Sequence, residues 1–264
     1  MDSASTDARL LVCAAVGAAP TRLISAPETI LTEDEARKIE VWSRRREARE
    51  PVTRILGRRG FWTFDLDVHP DVLDPRPDSE RLIEVCLARF AGMRVDPARI
   101  LDIGCGSGAL IAALLLEYPR ATGVALDLSP AACAATIANL AALGVGDRCD
   151  VRLKDWREED ERGFDLVISN PPYIPSDVIK TLDPEVRNYD PALALDGGLD
   201  GLSAYRSLCD LAPEWLRSGG IAAMEIGYDQ AAEVVKLLGR PEFADIELAH
   251  DMANNPRVVS AKRI

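Results

Sequence analysis

The chain has 264 residues, of which 47% are hydrophobic and 28% charged, and its formal net charge is −12. That length allows one large domain or a main domain with a small companion, and the acidic balance opposes nonspecific binding to a phosphate backbone, which needs a basic surface. No run of about 18 apolar residues occurs, so we expect no membrane span, and the N-terminus carries Asp2 and Asp7 rather than a basic segment, so no signal peptide is predicted.

The six cysteines give no sign of a metal site or a disulfide framework. They are scattered without a Cys-x-x-Cys pair, and His69 and His250 are the two histidines of the chain. We therefore expect no metal site. Free thiols are typical of the reducing cytosol, so the sequence favours a cytoplasmic protein.

A helical N-terminal domain is predicted for residues 1–58. The Ala-rich segment Ala8–Ala19 is one helix candidate. A second begins at Thr32, which pairs with Glu35 in the pattern of a capping box, and runs to about residue 49. The arginines near its end suit the negative end of a helix dipole, and alternatively they form a surface for a partner protein. They are Arg44, Arg45, Arg46 and Arg49.

Residues 59–77 are predicted to link this domain to a second one. The run Phe61–Val68 alternates between apolar and polar residues, as the strands of a hairpin do. Three prolines within His69–Pro77 indicate an extended connector. A helix that starts within Arg76–Glu80 opens the second domain, residues 78–264.

From Ile100 onward, strands and helices alternate, which is the pattern of an α/β sheet with helices on both faces. The predicted strands are Ile100–Ile103, Thr122–Leu126, Val151–Leu153, a run from Phe164, Ile221–Ile226, Asp245–Leu248 and Arg257–Ala261. Ser129 and Pro130 are suited to start a helix, since a cap residue is followed by proline at the first position. In such a sheet, ligands bind at the carboxyl ends of the strands.

A glycine-rich turn follows the first of these strands. Gly104, Gly106 and Gly108 allow the backbone to approach a ligand closely and allow the next helix to pack on the strand. Asp127 ends the following strand, where nucleotide-binding folds place an acid against ribose hydroxyls. The pattern indicates a nucleoside cofactor, and the alternative is a structural turn with a surface acid.

The tetrapeptide Asn170–Tyr173 ends the strand that begins at Phe164. Its two prolines lack backbone donors and leave their carbonyls free to accept, and the asparagine side chain supplies a further carbonyl oxygen. With a tyrosine ring beside them, these groups can hold a planar NH2 group. The alternative is a turn that only ends the strand.

The Gly-x-Gly-x-Gly spacing, preceded by Asp102, resembles class I S-adenosylmethionine-dependent methyltransferases. The resemblance implies a Rossmann-like sheet of seven strands, the last one antiparallel, with S-adenosyl-L-methionine as cofactor and S-adenosyl-L-homocysteine as its product. The residues implied to bind that cofactor are Gly104, Cys105, Gly106, Ser107 and Gly108 in the turn, Asp127 and Leu128 at the ribose, Asp155 and Trp156 at the adenine, and Asn170. Trp156 is alternatively a half-buried packing residue.

Segments on both sides of the tetrapeptide resemble the family of protein N5-glutamine methyltransferases that modify peptide-chain release factors. These segments are Glu50–Val52, Arg54–Gly57, Phe61–Trp62, Arg76–Glu80, Glu185–Arg187, Tyr189–Pro191, Ala194–Leu195, Gly197–Leu202, Tyr205–Arg206, Glu225–Gly227 and Arg257–Val259. Asp74 and Asp78–Ser79 depart mildly from the family pattern, and the N-terminal helical region looks shorter and matches weakly. The resemblance therefore covers roughly residues 50–264.

This resemblance implies methyl transfer to the side-chain nitrogen of the glutamine in the Gly-Gly-Gln motif of release factors, which are then the protein partner. Asn170, Pro171 and Tyr173 are implied to be catalytic, and Pro172 joins them in the substrate site. Stable binding of nucleic acid is not expected of so acidic a chain.

Other functions remain open at this point. A sister family methylates a ribosomal protein and shares the tetrapeptide, although it lacks the Arg-Pro-x-x-Glu form of Arg76–Glu80. N6-adenine DNA methyltransferases use the tetrapeptide on a flipped base, but the net charge of −12 and the lack of an evident DNA-reading domain argue against this reading. A non-enzymatic cofactor-binding protein and an NAD-linked oxidoreductase fit less well, because the tetrapeptide is intact and the glycine spacing differs.

Overall fold

Helices and strands alternate along most of the chain, as the sequence predicts. The computed structural model describes residues 4–91 and 99–264. The strands in these residues are β1 (Arg58–Phe61), β2 (Phe64–Asp67), β3 (Arg99–Ile103), β4 (Thr122–Asp127), β5 (Cys149–Leu153), β6 (Phe164–Ser169), β7 (Leu216–Glu225), β8 (Phe243–His250) and β9 (Pro256–Arg263).

The α-helices of the same residues lie before, between and after these strands. They are α1 (Ala4–Ala15), α2 (Pro20–Ser25), α3 (Glu33–Glu47), α4 (Val52–Leu56), α5 (Glu80–Phe90), α6 (Ala109–Glu117), α7 (Pro130–Ala142), α8 (Pro184–Arg187), α9 (Ala192–Leu195), α10 (Ser203–Trp215) and α11 (Ala231–Leu238). Short 3-10 turns occupy Pro77–Ser79, Gly146–Arg148, Trp156–Glu158 and Val178–Thr181. None of the helices in the described ranges is long and apolar enough to cross a membrane.

The N-terminal helices begin and end where local signals dictate. The hydroxyl of Thr32 accepts a hydrogen bond from the backbone N–H of Glu35, and the Glu35 carboxylate accepts one from the N–H of Thr32, so the predicted capping box is present. The first helix lies earlier in the chain than predicted, because Gly17 takes a positive φ of 62° beyond its end. Helix α3 likewise ends at Glu47, before the predicted residue 49.

The predicted linker hairpin is present as the antiparallel pair β1 and β2, in which Phe61 lies opposite Phe64. It begins earlier than predicted, because Gly57 takes a φ of 71° and ends α4 just before the first strand. Both strands have one buried residue, Phe61 and Leu66, and these pack into the core beside α5.

The main sheet has the strand order β5-β4-β3-β6-β7-β9-β8. Neighbours from β5 to β7 are parallel, and β9 is antiparallel to both β7 and β8. The expected Rossmann-like sheet of seven strands, with the last strand of the chain antiparallel, is therefore confirmed. Strand β7 starts at Leu216, earlier than predicted, since a register shift opposite Phe164 and Leu166 accommodates the extra residues.

Both faces of this sheet are buried under helices. Along β3, Ile100 belongs to the core under α5 and α6, while the next residue, Leu101, belongs to the core under α10 and α11. Successive side chains of a strand point to opposite faces, so one short apolar strand serves both cores. The carboxyl ends of the parallel strands are left at one edge of the sheet.

The N-terminal helices are joined to the rest of the chain by an ion-pair network. Arg46 at the end of α3 contacts Asp7 of α1 at 2.8 Å and Glu185 of α8 at 3.0 Å. Arg49 contacts the same Glu185 at 2.7 Å. Arg44 and Arg45 pair locally with Glu40 and Glu50, so all four of these arginines form ion pairs within the chain.

Candidate active site

A cavity of about 300 Å³ opens at the carboxyl edge of the main sheet. Gly104, Gly106 and Asp127 line it from the ends of β3 and β4. Trp156 lines it beyond β5, and Asn170 lines it beyond β6. Residues that the sequence places on four different strand ends therefore share one cavity.

The glycine turn is fixed by contacts with α7. Gly108 has a φ of 78°, and a Cβ on it would lie 2.9 Å from Cγ2 and 3.2 Å from Cα of Thr136, so only glycine fits. The Thr136 hydroxyl donates to the carbonyl of Gly106 at 3.0 Å, and the Asn139 amide donates to the carbonyl of Ser107 at 2.9 Å. The side of the turn that faces α7 is therefore held in place by hydrogen bonds.

The cavity side of the same turn is open. A Cβ on Gly104 or Gly106 would meet no other protein atom within 4 Å. Space of this kind beside a strand end, at the start of helix α6, is where a nucleoside cofactor approaches the backbone in a doubly wound sheet. The turn therefore fits a bound nucleoside cofactor.

Within the turn, Cys105, Ser107 and Gly108 are not among the residues that line the cavity. Cys105 and Ser107 are both buried. The Thr136 hydroxyl lies 3.3 Å from the Cys105 sulfur, and burial, with the nearby charge of Asp102, raises the pKa of this thiol well above its usual value. The side chain of Cys105 is therefore a buried, neutral thiol.

Asp127 holds the turn through its carboxylate. One oxygen accepts a hydrogen bond from the N–H of Gly106 at 2.9 Å, and the other accepts one from the N–H of Ser129 at 2.9 Å. A carboxylate has further lone pairs on both oxygens, so hydroxyls of a ligand can bind without displacing these donors. Leu128 is partly exposed beside it and also lines the cavity.

Trp156 and Asp155 are both predicted to contact the adenine, but only Trp156 lines the cavity. Trp156 lines the cavity, and its Nε1 donates to the hydroxyl of Ser207 at 3.1 Å, which fixes the plane of the indole. Asp155 is not among the lining residues of the cavity, and its carboxylate instead accepts from the backbone and the guanidinium of Arg157. These bonds lower the pKa of Asp155.

The tetrapeptide begins directly at the end of β6. Asn170 and Pro172 line the cavity, while Pro171 between them is buried. Tyr173 is half-buried, packs against the core under α10, and does not belong to the cavity lining. Its hydroxyl donates to Glu225 at 3.3 Å, and burial together with that carboxylate raises its pKa.

Two residues without a predicted role lie directly behind the tetrapeptide. The Asn170 Nδ2 donates to the Ser79 hydroxyl at 3.1 Å, and that hydroxyl donates to the Glu225 carboxylate at 2.6 Å. Ser79 and Glu225 are both buried. They occur in the segments Arg76–Glu80 and Glu225–Gly227, which the family resemblance singles out without assigning them a contact.

The linker and the segment around Pro191 also line the cavity, although no ligand contact is predicted for them from the sequence. The lining residues of the linker are Asp71, Val72 and Leu73, and those of the later segment are Pro191, Leu193, Ala194 and Asp196. Arg54 holds the two together: its guanidinium donates to the carbonyl of Val72 at 2.8 Å and to the carboxylate of Asp190 at 2.9 Å. Because these contacts join residues far apart in the chain, no local pattern reveals them.

The sheet order, the glycine turn and the cavity at the carboxyl edge define a class I S-adenosylmethionine-dependent methyltransferase. A solved structure with the same fold is the 16S rRNA N2 G1207 methyltransferase of T. thermophilus in complex with AdoMet and guanosine. Its TM-score to this chain is 0.54 at 19% sequence identity, and the match covers 78% of this chain and 50% of that one. A likeness at this identity concerns the fold.

Sequence comparisons identify the family. The family model described as "PrmC N-terminal domain" matches residues 1–57, and the one described as "Methyltransferase small domain" matches residues 84–182. The release factor glutamine methyltransferase of Rhodospirillum rubrum is 44% identical over 97% of this chain and 78% of its own length. That of Agrobacterium fabrum is 40% identical over 97% of this chain and 90% of its own length. The chain belongs to the family of release factor glutamine methyltransferases.

Proposed function

We propose that this enzyme transfers a methyl group from S-adenosyl-L-methionine to the side-chain nitrogen of the glutamine in the Gly-Gly-Gln motif of peptide-chain release factors. The observation that carries the proposal is the orientation of Asn170. Its NH2 group donates to Ser79, and no donor within residues 4–91 and 99–264 binds its carbonyl oxygen, which is therefore available to a substrate in the cavity that the glycine turn also lines.

The residues suited to hold the cofactor line this cavity. The open backbone of Gly104 and Gly106 gives room for its amino-acid part, the Asp127 carboxylate can accept from ribose hydroxyls, and Trp156 with Leu128 offers apolar surface to the base. The cofactor supplies a methyl group on a positively charged sulfur, and S-adenosyl-L-homocysteine is the expected product. Cys105, Ser107, Gly108 and Asp155 then support the site without lining the cavity.

The acceptor is activated by hydrogen bonds that orient it. A neutral amide nitrogen is a poor nucleophile because its lone pair is delocalised into the carbonyl. The Asn170 Oδ1 and the backbone carbonyl of Pro171 can each accept one hydrogen of the glutamine NH2. Those bonds strengthen as positive charge develops on the nitrogen, so they favour the transition state over the ground state, and they aim the nitrogen at the methyl group.

Pro172 and Tyr173 complete the proposed substrate site. Pro172 lines the cavity and contributes apolar surface. Tyr173 is held by Glu225, and we propose that its ring packs near the plane of the glutamine amide and helps to exclude water. The methylated nitrogen is acidic enough to release its proton to water, so the proposal includes no general base.

Release factor is the proposed protein partner, and the cytoplasm, where translation terminates, is the proposed location. All six cysteines lie in the described residues as free thiols, which agrees with a reducing compartment. Stable binding of nucleic acid is not part of the proposal, because the chain carries a net charge of −12.

The test is the transfer of radiolabelled methyl groups to three acceptors. These are a release factor, the same factor with its Gly-Gly-Gln glutamine replaced by alanine, and duplex DNA with adenines. Labelling of the first acceptor alone supports the proposal. Equal labelling of the alanine variant, or labelling of DNA, would show that another acceptor is used.

A further inference from the structure

A buried chain of hydrogen bonds runs from the tetrapeptide to one carboxylate. Asn170 Nδ2 donates to Ser79 Oγ at 3.1 Å, and Ser79 Oγ donates to Glu225 Oε2 at 2.6 Å. Tyr173 donates to the other oxygen, Glu225 Oε1, at 3.3 Å. Both polar side chains of the tetrapeptide are thus tied to Glu225, which is 1% exposed.

The charge of Glu225 sets the direction of this chain. An ionised carboxylate can only accept hydrogen bonds, and a serine hydroxyl has one proton to donate. Because Ser79 gives its proton to Glu225, its oxygen can only accept from Asn170. The Asn170 NH2 must then face Ser79. Within residues 4–91 and 99–264, no donor binds its Oδ1, which is not a buried atom, and Asn170 lines the cavity, so this oxygen is accessible to a ligand there.

We infer that Ser79 and Glu225 are positioning residues that fix the Asn170 amide with its oxygen toward the substrate. This role rests on the proposed function, in which that oxygen accepts from the glutamine NH2. The opposite orientation would present the Asn170 NH2 to the glutamine NH2, two donors facing each other. An asparagine side chain has nearly the same shape in both orientations, so packing alone cannot choose between them.

Glu225 also fixes the ring of Tyr173 through its second oxygen. Two hydroxyl donors on separate oxygens fix the orientation of this carboxylate: Tyr173 is the last residue of the tetrapeptide, and Ser79 is the residue that binds Asn170. Tyr205, on α10, donates its hydroxyl to the backbone carbonyl of Glu225 at 3.0 Å. The end of β7 is therefore held on both its side chain and its backbone.

Protonation of Glu225 would reverse the direction of the hydrogen bonds from Asn170 through Ser79. A neutral Glu225 can donate to Ser79, Ser79 can then donate to the Asn170 oxygen, and the NH2 would turn to the cavity. Burial raises the pKa of Glu225, whereas the hydrogen bonds from Ser79 and Tyr173 lower it.

The charged groups around Glu225 oppose one another. Arg257 on β9 favours the ionised carboxylate, and Asp78, beside Ser79, disfavours it. Arg257 itself pairs with Asp251 at 3.1 Å and with Asp78 at 3.4 Å. As the pH falls through the pKa of Glu225, we therefore expect kcat to fall while cofactor affinity stays the same.

The test compares the full-length protein with its Ser79→Ala, Ser79→Thr and Glu225→Gln variants. Ser79→Ala removes the link, and Glu225→Gln keeps the shape but supplies an NH2 that can donate to Ser79. We expect each of the two to lower kcat roughly 10- to 100-fold, as expected for a misdirected catalytic group. The threonine variant keeps the hydroxyl and should rescue kcat relative to alanine. The Ser79→Ala/Glu225→Gln double variant should be no worse than the poorer single variant, because both break one chain.

Two readouts separate positioning from a loss of structure. The affinity for S-adenosyl-L-homocysteine, measured by calorimetry, should be unchanged in all variants. The side-chain NH2 signal of Asn170 in isotope-labelled protein should shift in Ser79→Ala and Glu225→Gln and stay near its wild-type position in Ser79→Thr.

The positioning role of Ser79 and Glu225 and the proposed function are contradicted by different results. Wild-type kcat in both Ser79→Ala and Glu225→Gln, or an unmoved Asn170 signal, overturns the positioning role. An equal loss of kcat in Ser79→Thr and Ser79→Ala also overturns it, because the hydroxyl would then be irrelevant. Failure of the wild-type protein to methylate any release factor overturns the proposed function, while the Asn170 signal still decides the positioning role.

Discussion

The hydroxyl of Ser79 lies 2.6 Å from the carboxylate of Glu225, although 146 residues separate them in the chain. This contact joins the start of α5, next to the linker, to the end of β7 in the middle of the sheet. It lies directly behind Asn170, whose NH2 group binds the same hydroxyl. Asn170, the first residue of the tetrapeptide, is thus tied to residues from two distant parts of the chain.

Replacing Asp127 by alanine should weaken cofactor binding. The variant loses a charged acceptor for ribose hydroxyls and the bond that fixes Gly106. Hydrogen bonds to charged groups contribute about 1.5–3 kcal/mol, so we expect an increase in Kd of roughly tenfold or more by calorimetry. Asp150→Ala on the neighbouring strand, where the carboxylate pairs with Arg152, is the control and should bind normally. Equal cofactor affinity of the Asp127 variant and the wild type would contradict a contact between Asp127 and the ribose.

Gly201→Ala should displace the tetrapeptide segment. A Cβ at this position would lie 2.4 Å from the backbone oxygen of Tyr173 and 2.6 Å from Nε2 of Gln230. We therefore expect a loss of several kcal/mol in the free energy of unfolding, from steric overlap added to the strain of the backbone, and a large loss of kcat.

Gly144→Ala is the matched control for that substitution. Gly144 has the same φ of 72° as Gly201, but a Cβ there would meet nothing within 4 Å. It should cost only the strain of the left-handed backbone, about 1 kcal/mol, with normal kcat. Similar urea-unfolding results for both variants would show that the contact with Tyr173 is unimportant.

Asp190→Ala should destabilise the linker and the segment around Pro191. The Asp190 carboxylate is fully buried and pairs with Arg54 and Arg76, and Arg54 is itself only 5% exposed. Removing one partner of a buried pair leaves an uncompensated charge, which costs about 3 kcal/mol or more. Glu214→Ala breaks an exposed pair with Arg162 and should cost at most about 1 kcal/mol. Urea unfolding followed by tryptophan fluorescence measures both, and equal effects would contradict the prediction.

Asp102→Asn should stabilise the protein above neutral pH. Burial, with the charge of Asp127, raises the pKa of Asp102 to about 7 from 3.8, and the N–H dipole of Ile111 opposes the shift. Between these values the folded state binds a proton that the unfolded state has released, so the free energy of unfolding falls as the pH rises through this window. The penalty is complete above about pH 7 and absent below about pH 4.

The variant should therefore be more stable than the wild type by roughly 2–4 kcal/mol at pH 8 and equally stable near pH 4. Thermal and urea unfolding at a series of pH values gives this difference. If the free energy of unfolding of the two proteins changed with pH in parallel, the pKa of Asp102 would not be raised in the folded protein.

The fold and the lining residues at the strand ends are readable from the sequence because their determinants are local. Thr32 and Glu35 specify a helix start within four residues, and the glycine turn and Asp127 each follow directly from a strand end. Asn170 is predictable for the same reason. Once parallel strands are placed in one sheet, their carboxyl ends must meet at one edge.

Other features depend on contacts that have no local pattern. The linker lines the cavity, where Arg54 binds both Val72 and Asp190 and Val72 packs against α7. The carboxylate of Asp155 binds Arg157, two residues later, and Asp155 does not line the cavity. Ser79 and Glu225 stand in recognisable segments, but their pairing is a property of the folded chain alone.

The most direct measurement is to map the methylated residue by tandem mass spectrometry. A release factor is incubated with S-adenosyl-L-methionine and either the wild-type enzyme or its Asn170→Ala variant, whose cofactor affinity is checked by calorimetry. We expect the wild type to add one methyl group to the glutamine of the Gly-Gly-Gln motif, and the variant to add almost none despite normal cofactor binding. Methylation of a different residue, or of that glutamine at the wild-type rate by the variant, would contradict the central role assigned to Asn170.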